Sequence, residues 1–327
     1  MKNLFLLFAL MVMLVSAAAV QAKPRVLLIE SYHSGYKWDQ ELNKGLEGVL
    51  GDKVELFDFQ MDTKRLPASE YSERADLAWQ CYLDIKPDVV VLADDNAMLL
   101  LAERFLVTGT PVVYMGVNSN PRKYAPLGRN ITGVLERPLY KRTVKYLKEL
   151  LFIGTDKVLI LLDESTTSQA FKTAIFNDED SQEISGITTD IELISCMKDW
   201  RKTILDARKN DYKAIVIGLY HRVFEDDNHV DSEEILEWTS ANSPVPVFAF
   251  WEMSVGKGKA VGGMVMNGEV QGKAAGKMVL DILDGTPVYT IKPVIPEQGR
   301  FIFSRTELDR WKIRLPRYML KHGLIVE

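Results

Sequence analysis

Nearly continuous apolar strands alternate with helical stretches along this chain, and they do so twice. Arg25–Ile29, Val54–Gln60, Asp88–Ala93 and Pro111–Val117 read as short strands rich in Val, Leu and Phe. Between them, Lys37–Leu50, Ser69–Ile85 and Ala97–Leu106 read as helices. In the second helix Leu77, Cys81 and Ile85 recur at four-residue spacing, which predicts one buried face. Strands that are apolar along their length, each followed by a helix, predict a parallel sheet covered on both faces. The pattern pauses at Asn118–Asn130, where Asn, Pro, Gly and Arg gather, and then resumes. Lys157–Leu162, Asp190–Ser195, Ala214–Leu219 and Val245–Phe250 form the second set of strands. Leu139–Leu151, Ser168–Asn177, Trp200–Asn210 and Ser232–Ala241 form the second set of helices. The expected fold is therefore α/β, with two Rossmann-like lobes built on parallel sheets.

After Phe250 the chain supplies a short strand at Gly262–Met266 and a helix at Glu269–Leu283 with small residues Gly272, Ala275 and Gly276. Gly285-Thr286-Pro287 stops that helix. It is expected to pack back on the first lobe, so that several chain crossings form a hinge able to close. The expected lobes are 23–118 with about 255–290, and about 130–252; residues 291–327 read as a C-terminal crossover and tail.

Open α/β sheets bind ligands beyond the carboxyl ends of their strands, so the residues just after each strand carry the candidate chemistry. Ser31-Tyr32-His33 follow the first strand, with Tyr36 and Trp38 close behind, and Asp94-Asp95-Asn96 follow the third. Tyr114 and Asn118 mark the fourth. In the second half Asp163-Glu164, Tyr220-His221-Arg222 and Trp251-Glu252 stand in the same position. Rings mixed with carboxylates and amides suit a small polar solute that is sandwiched and fixed by a few hydrogen bonds. Tyr32, His33, Asp95, Asn96 and Asn118 form one expected wall; Glu164, His221 and Trp251 form the other. Plainer roles compete. Asp94 or Asp95 also reads as a helix cap alone, as do Ser165 to Ser168. Trp38 reads first as a core anchor, and His221-Arg222 equally as a solvated loop.

Residues 1–22 have a Lys2 n-region, an apolar run from Leu4 to Val15 and small residues up to Ala22, which predicts a signal peptide cleaved before Lys23. The run is too short for a membrane span. Export to the periplasm is expected. A chain of 327 residues is long enough for two domains at roughly 100–200 residues each. The formal charge of −5 gives no support to nucleic-acid or anionic-membrane binding. No GxSxG, HExxH, P-loop or GxGxxG motif is present, so no enzyme is indicated. With no CxxC and four scattered histidines, neither metal nor cofactor is expected. Cys81 and Cys196 read as two separate, mostly buried thiols.

The stretch Ser31-Tyr32-His33-Ser34-Gly35-Tyr36-Lys37-Trp38 resembles the periplasmic-binding-protein-like family labelled ABC transporter substrate-binding protein, of the type I, two-lobed architecture. So do Asp94-Asp95-Asn96-Ala97, Pro111 to Asn118, Ile131 to Glu136, and Gly262-Gly263 followed by Gln271 to Ala275. The likeness is closest to extracytoplasmic sensor modules fused to histidine kinases or diguanylate cyclases, and weaker to the branch that imports aromatic amino acids. It implies a binding module that closes on a small polar or aromatic-containing ligand; the likeness stops short where a transmembrane helix or signalling domain would follow, so a free-standing module is expected. The implied partner is the permease of an ABC transporter, or alternatively a membrane kinase or cyclase to which it reports; an exported α/β enzyme is a lesser alternative.

Overall fold

The computed structural model describes residues 22–126, 129–137, 139–151, 157–296 and 299–327. All of the expected signal peptide except Ala22 lies outside them.

Five parallel strands form the first sheet, in the order β2-β1-β3-β4-β5: β1 Arg25–Glu30, β2 Glu55–Gln60, β3 Val89–Ala93, β4 Val112–Val117 and β5 Ile131–Leu135. Every residue of β3 and β4 is buried, as strands covered on both faces require. β5 was expected at the start of the second lobe, yet it pairs with β4. Among the described residues of the segment before it, the regular structure is one short 3-10 turn, Pro121–Lys123, so no long helix announces the extra strand.

The second sheet has the order β12-β9-β6-β8-β7, from β6 Lys157–Leu162, β7 Ser181–Ile184, β8 Ile187–Leu193, β9 Tyr212–Ile217 and β12 Val247–Ala249. β7 is antiparallel and was not foreseen. It joins β8 through Ser185-Gly186, both at positive φ (55° and 77°), the two-residue hairpin turn whose twist matches the strands. A small hairpin, β10 Phe224–Glu225 and β11 Asn228–His229, projects after β9.

A third sheet, β13 Gly262–Val265, β14 Arg300–Ser304 and β15 Leu324–Val326, contains the segment expected to be a brief tail. β13 was placed with the first lobe, but backbone bonds from Val261 to Val247 and from Met266 to Phe250 hold its ends beside β12. The Gly268–Leu283 helix packs on the Lys37–Leu50 helix, against the first sheet. A Cβ on Gly272 would lie 2.0 Å from the Leu42 carbonyl oxygen, and one on Gly45 would lie 2.2 Å from that of Glu269, so the two backbones touch. The chain thus passes between the halves after β5, between β13 and this helix, and again between Val294, which bridges to Val134, and β14.

Two packing expectations need correction. Leu77 is 46 % exposed; the Tyr71–Ile85 helix instead buries Ala75 and Ala78, and Trp79 and Tyr82 pack on Phe105. Both cysteines are free, but Cys196 is exposed and Cys81 only half-buried, because Cys196 lies at a helix start rather than inside a strand. Among the described residues no helix is long and apolar enough to cross a membrane.

Candidate functional site

The carboxyl ends of both sheets face one cleft, and the chain after each strand is fixed there by its own backbone. Ser31, following β1, donates its N–H and Oγ to the Ala93 carbonyl, and its Oγ accepts from Ala97 N–H. The loop after β2 folds back on this point: Thr63 donates its N–H and Oγ1 to the Ser31 carbonyl, and Asn96 Nδ2 donates to Thr63 Oγ1. Lys64, next on that loop, is thereby carried into the cleft. Asp94 opens the helix after β3 at φ 67°, a left-handed conformation that is unusual outside glycine and costs about 1–3 kcal/mol.

Three sets of bonds cross the cleft. Tyr32 and Thr167 share a 3.0 Å hydroxyl–hydroxyl bond. Trp251 Nε1 donates to Glu136 Oε1 at 2.7 Å. Arg222 Nη1 donates to the Thr63 carbonyl at 3.0 Å and to Tyr71 Oη at 2.8 Å, with the Leu66 carbonyl at 3.4 Å.

Within this frame lie the buried carboxyls of Asp39, Asp94, Glu136 and Asp163, besides Asp95, and the buried ammonium of Lys64. Burial pushes the Asp94 carboxyl well above its usual range, and the neighbouring acids Asp39, Glu136 and Asp95 add to the rise against the pull of Lys64. Burial does the same to Asp39, with Glu30 adding like charge. Glu136 is pushed up to about 8 by burial, although Trp251 and Asn118 donate to it. Asp163 goes the other way: burial opposes its ionisation, but Lys64 and the Ser165 and Ser168 donors hold it below the usual value. The Lys64 ammonium lies over two ring faces, 4.5 Å from the Tyr32 centroid and 5.4 Å from that of Tyr36. Burial lowers its pKa despite the pull of Asp163 and Asp94. At the mouth, a cavity of about 320 Å³ is lined by His33, Tyr36, Lys64, Tyr220, His221 and His229 among others. His221 stacks on Tyr220 at 4.5 Å and meets the edge of Tyr36 at 4.7 Å. Burial, then Lys64, lowers its pKa to about 3, so the ring is neutral.

The residues expected from the sequence divide accordingly. Tyr32, His33, His221 and Trp251 lie at the cleft. Asp95 does not face it freely: its oxygens accept from Asn118 N–H, Ser119 N–H and Tyr124 Oη, which hold the chain after β4. Asn118 and Asn96 are supports as well, Asn118 Nδ2 donating to the Gly116 carbonyl and Glu136. Glu164 is exposed and lines a separate groove with Lys172 and Asp190, because the turn after β6 directs Asp163 inward and the next residue outward. Sequence reasoning passed over Lys64 and Glu136 as site residues; it named Trp38, Asp94, Asp163 and Arg222 at the strand ends but placed none of them on a wall of the site. Glu136 and Lys64 follow β5 and β2, so the same strand-end rule reaches both once β5 is recognised and the loop after β2 is included.

Among curated proteins none matches the chain. Among solved structures, an ABC domain from Streptococcus pneumonia in complex with L-Trp matches 94 % of this chain and 100 % of its own, at 16 % identity and a TM-score of 0.67. A substrate binding protein with adhesive properties from Clostridium difficile, in its ligand-free, open form, matches over 93 % and 99 % at 15 % identity and 0.62. A carbohydrate transporter solute binding protein from Agrobacterium Radiobacter, in complex with D-arabinose, matches over 89 % and 98 % at 10 % identity and 0.59. At such identities the likeness is one of fold, that of type I periplasmic binding proteins. The family model for ABC transporter substrate binding proteins matches residues 86–325, most of the chain, and the chain belongs to that family.

Proposed function

We propose that this protein works outside the cytoplasm, closes its cleft on one small polar or aromatic-containing solute and delivers it to the permease of an ABC transporter. The closing lobes are the first sheet with the Gly268–Leu283 helix, and the second sheet with β13. One observation carries the reading: Asp94 Oδ2, Trp38 Nε1 and His221 Nδ1 are buried at the cleft with no hydrogen-bond partner among the described residues. Buried polar atoms are paired in folded proteins, so atoms left over in a ring-lined cleft fit a ligand. Carboxyls outnumber cations there, which suits a solute with an amine or several hydroxyls. Native mass spectrometry of protein taken from its own periplasm should find one small molecule per chain. Isothermal titration with amino acids, amines and sugars should then give a binder; binding to simple anions alone refutes the preference. No retained molecule and no binder in that panel refute the solute-binding reading itself.

The likeness of Ser31–Trp38 to sensor modules favours a second use of the same closure, docking on a membrane kinase or cyclase. A ligand-dependent complex with such a protein, and none with a permease, would select it.

A further inference from the structure

A cation without a partner lines the cavity at the cleft mouth. Lys64 is 3 % exposed and Tyr36 6 %, and both line that space of about 320 Å³. They are neighbours, the ammonium lying 5.4 Å from the Tyr36 ring centroid. Neither Lys64 Nζ nor Tyr36 Oη makes a hydrogen bond or ion pair among the described residues, and neither is closed off from solvent as Trp38 Nε1 and Asp94 Oδ2 are. Lysines so deeply buried are ordinarily paired. The acids on the cavity wall are already engaged. Asp231 caps the Ser232–Asn242 helix, its Oδ1 accepting from the Glu233 and Glu234 N–H groups, and Glu233 accepts from Lys259. Arg65, also on the wall, is forked onto Asp62.

The charges around Lys64 do not cancel it. They are those of Asp163, Asp94, Asp39 and Arg222. Burial pushes the Asp94 and Asp39 carboxyls well above their usual range, which favours their neutral forms. Asp163 stays ionised, but it also accepts from the Arg222 and Ser165 N–H groups and from Ser168 Oγ. Two cations, Lys64 and Arg222, thus share one carboxylate, and a buried charge is costly until it is matched. An ammonium has donors only, so a solute amine cannot satisfy Lys64. We propose that Lys64 and Tyr36 form a carboxylate seat, each donating to an oxygen of the solute's acid group, and that the solute is a hydroxylated carboxylic acid. This rests on the solute-binding reading above and narrows its choice between amine and hydroxyls. Burial raises the Tyr36 phenol far above neutral pH, so it keeps the proton it donates. The neutral carboxyls of the cleft serve hydroxyls rather than an amine. So do the imidazoles on the cavity wall: His33 Nδ1 accepts from Gly35 N–H, which puts its proton on Nε2, and His229 Nε2 donates to the His221 carbonyl, which leaves Nδ1 the acceptor of the neutral ring. A hydroxyl both donates and accepts.

The test is titration calorimetry on the full protein with acids and neutral partners of like skeleton: D-gluconate against D-sorbitol, and D-galacturonate against D-galactose. Acetate serves as an anion without hydroxyls, and putrescine and L-tryptophan as amines. At least one hydroxy acid should bind, with its neutral partner weaker by about 10-fold or more. Lys64→Met, which keeps an unbranched stem and removes the charge, should erase that preference, and Tyr36→Phe should reduce it. Should Lys64→Met fail to fold, the acid–neutral comparison on the wild type and Tyr36→Phe still decide. A neutral partner that binds as tightly as its acid, or a preference that survives these substitutions, overturns the seat. So does tighter binding of acetate, putrescine or L-tryptophan, which leaves the solute-binding reading standing. No binding of either hydroxy acid overturns the seat too, while a co-purified molecule of other chemistry still upholds solute binding.

Discussion

Asp94 and Asp95 are neighbours in sequence and opposite in role. Asp95 accepts from two backbone amides and a tyrosine hydroxyl, so Asp95→Ala leaves two buried donors and one part-buried donor unmatched. Chemical denaturation should show a loss of about 3 kcal/mol. Asp94, at positive φ with a buried unpaired oxygen, is a strained residue at the cleft. Asn accepts that conformation more readily and carries no charge. Asp94→Asn should therefore raise ligand-free stability at pH 8 by about 1 kcal/mol while weakening solute binding; lower stability with unchanged affinity would show Asp94 to be structural. Glu136 gives a pH dependence. Its native pKa of about 8 lies above the ordinary 4.5, so between those values the folded protein holds a proton that the unfolded chain has released. Its contribution to stability is greatest below about pH 4.5 and is lost as pH rises through 8. Asp94 and Asp39 shift in the same direction. Urea unfolding at pH 5 and pH 8 should show wild-type stability falling, and Glu136→Gln should flatten that fall.

At the scale of elements, the helix pair shows how small residues decide an approach. Gly272 leaves no space for a side chain against the Leu42 carbonyl. Gly272→Ala must push the helices apart and should cost about 1–3 kcal/mol, as overpacking does, read from the thermal midpoint. The loop after β2 is gripped from the other lobe by Arg222, which donates to the Thr63 carbonyl and Tyr71 Oη. Arg222→Ala should raise the radius of gyration of the ligand-free protein in small-angle scattering and speed ligand release, with the unfolding midpoint little changed. Equal scattering profiles would remove Arg222 from closure. Elements that announce themselves by period were legible in the sequence: the Lys37–Leu50 helix and the β6 strand run over the residues expected of them. β5, β7 and β15 were not, because β5 follows a connection without a helix, and β7 depends on a two-residue turn whose Ser-Gly chemistry is common in loops.

For the whole molecule, the proposed function makes closure a balance that the solute tips only through contacts that differ between the open and closed forms. The contacts across the cleft already include Tyr32 with Thr167, Trp251 with Glu136, and Arg222 with the loop after β2. The sequence by itself determined the α/β class and the strand ends at which polar groups collect, since apolar runs and helix starts are local properties of the chain. It could not decide which of two adjacent residues is left for the cleft, because that turns on partners brought by other elements: Asp95 is taken up by Asn118, Ser119 and Tyr124 while Asp94 Oδ2 is unpaired, and Asp163 is buried while Glu164 is exposed. Nor could it bring Lys64 and His221 to the ring of Tyr36, since three residues from three different parts of the chain meet there only when the loop after β2, a helix start and the loop after β9 pack together.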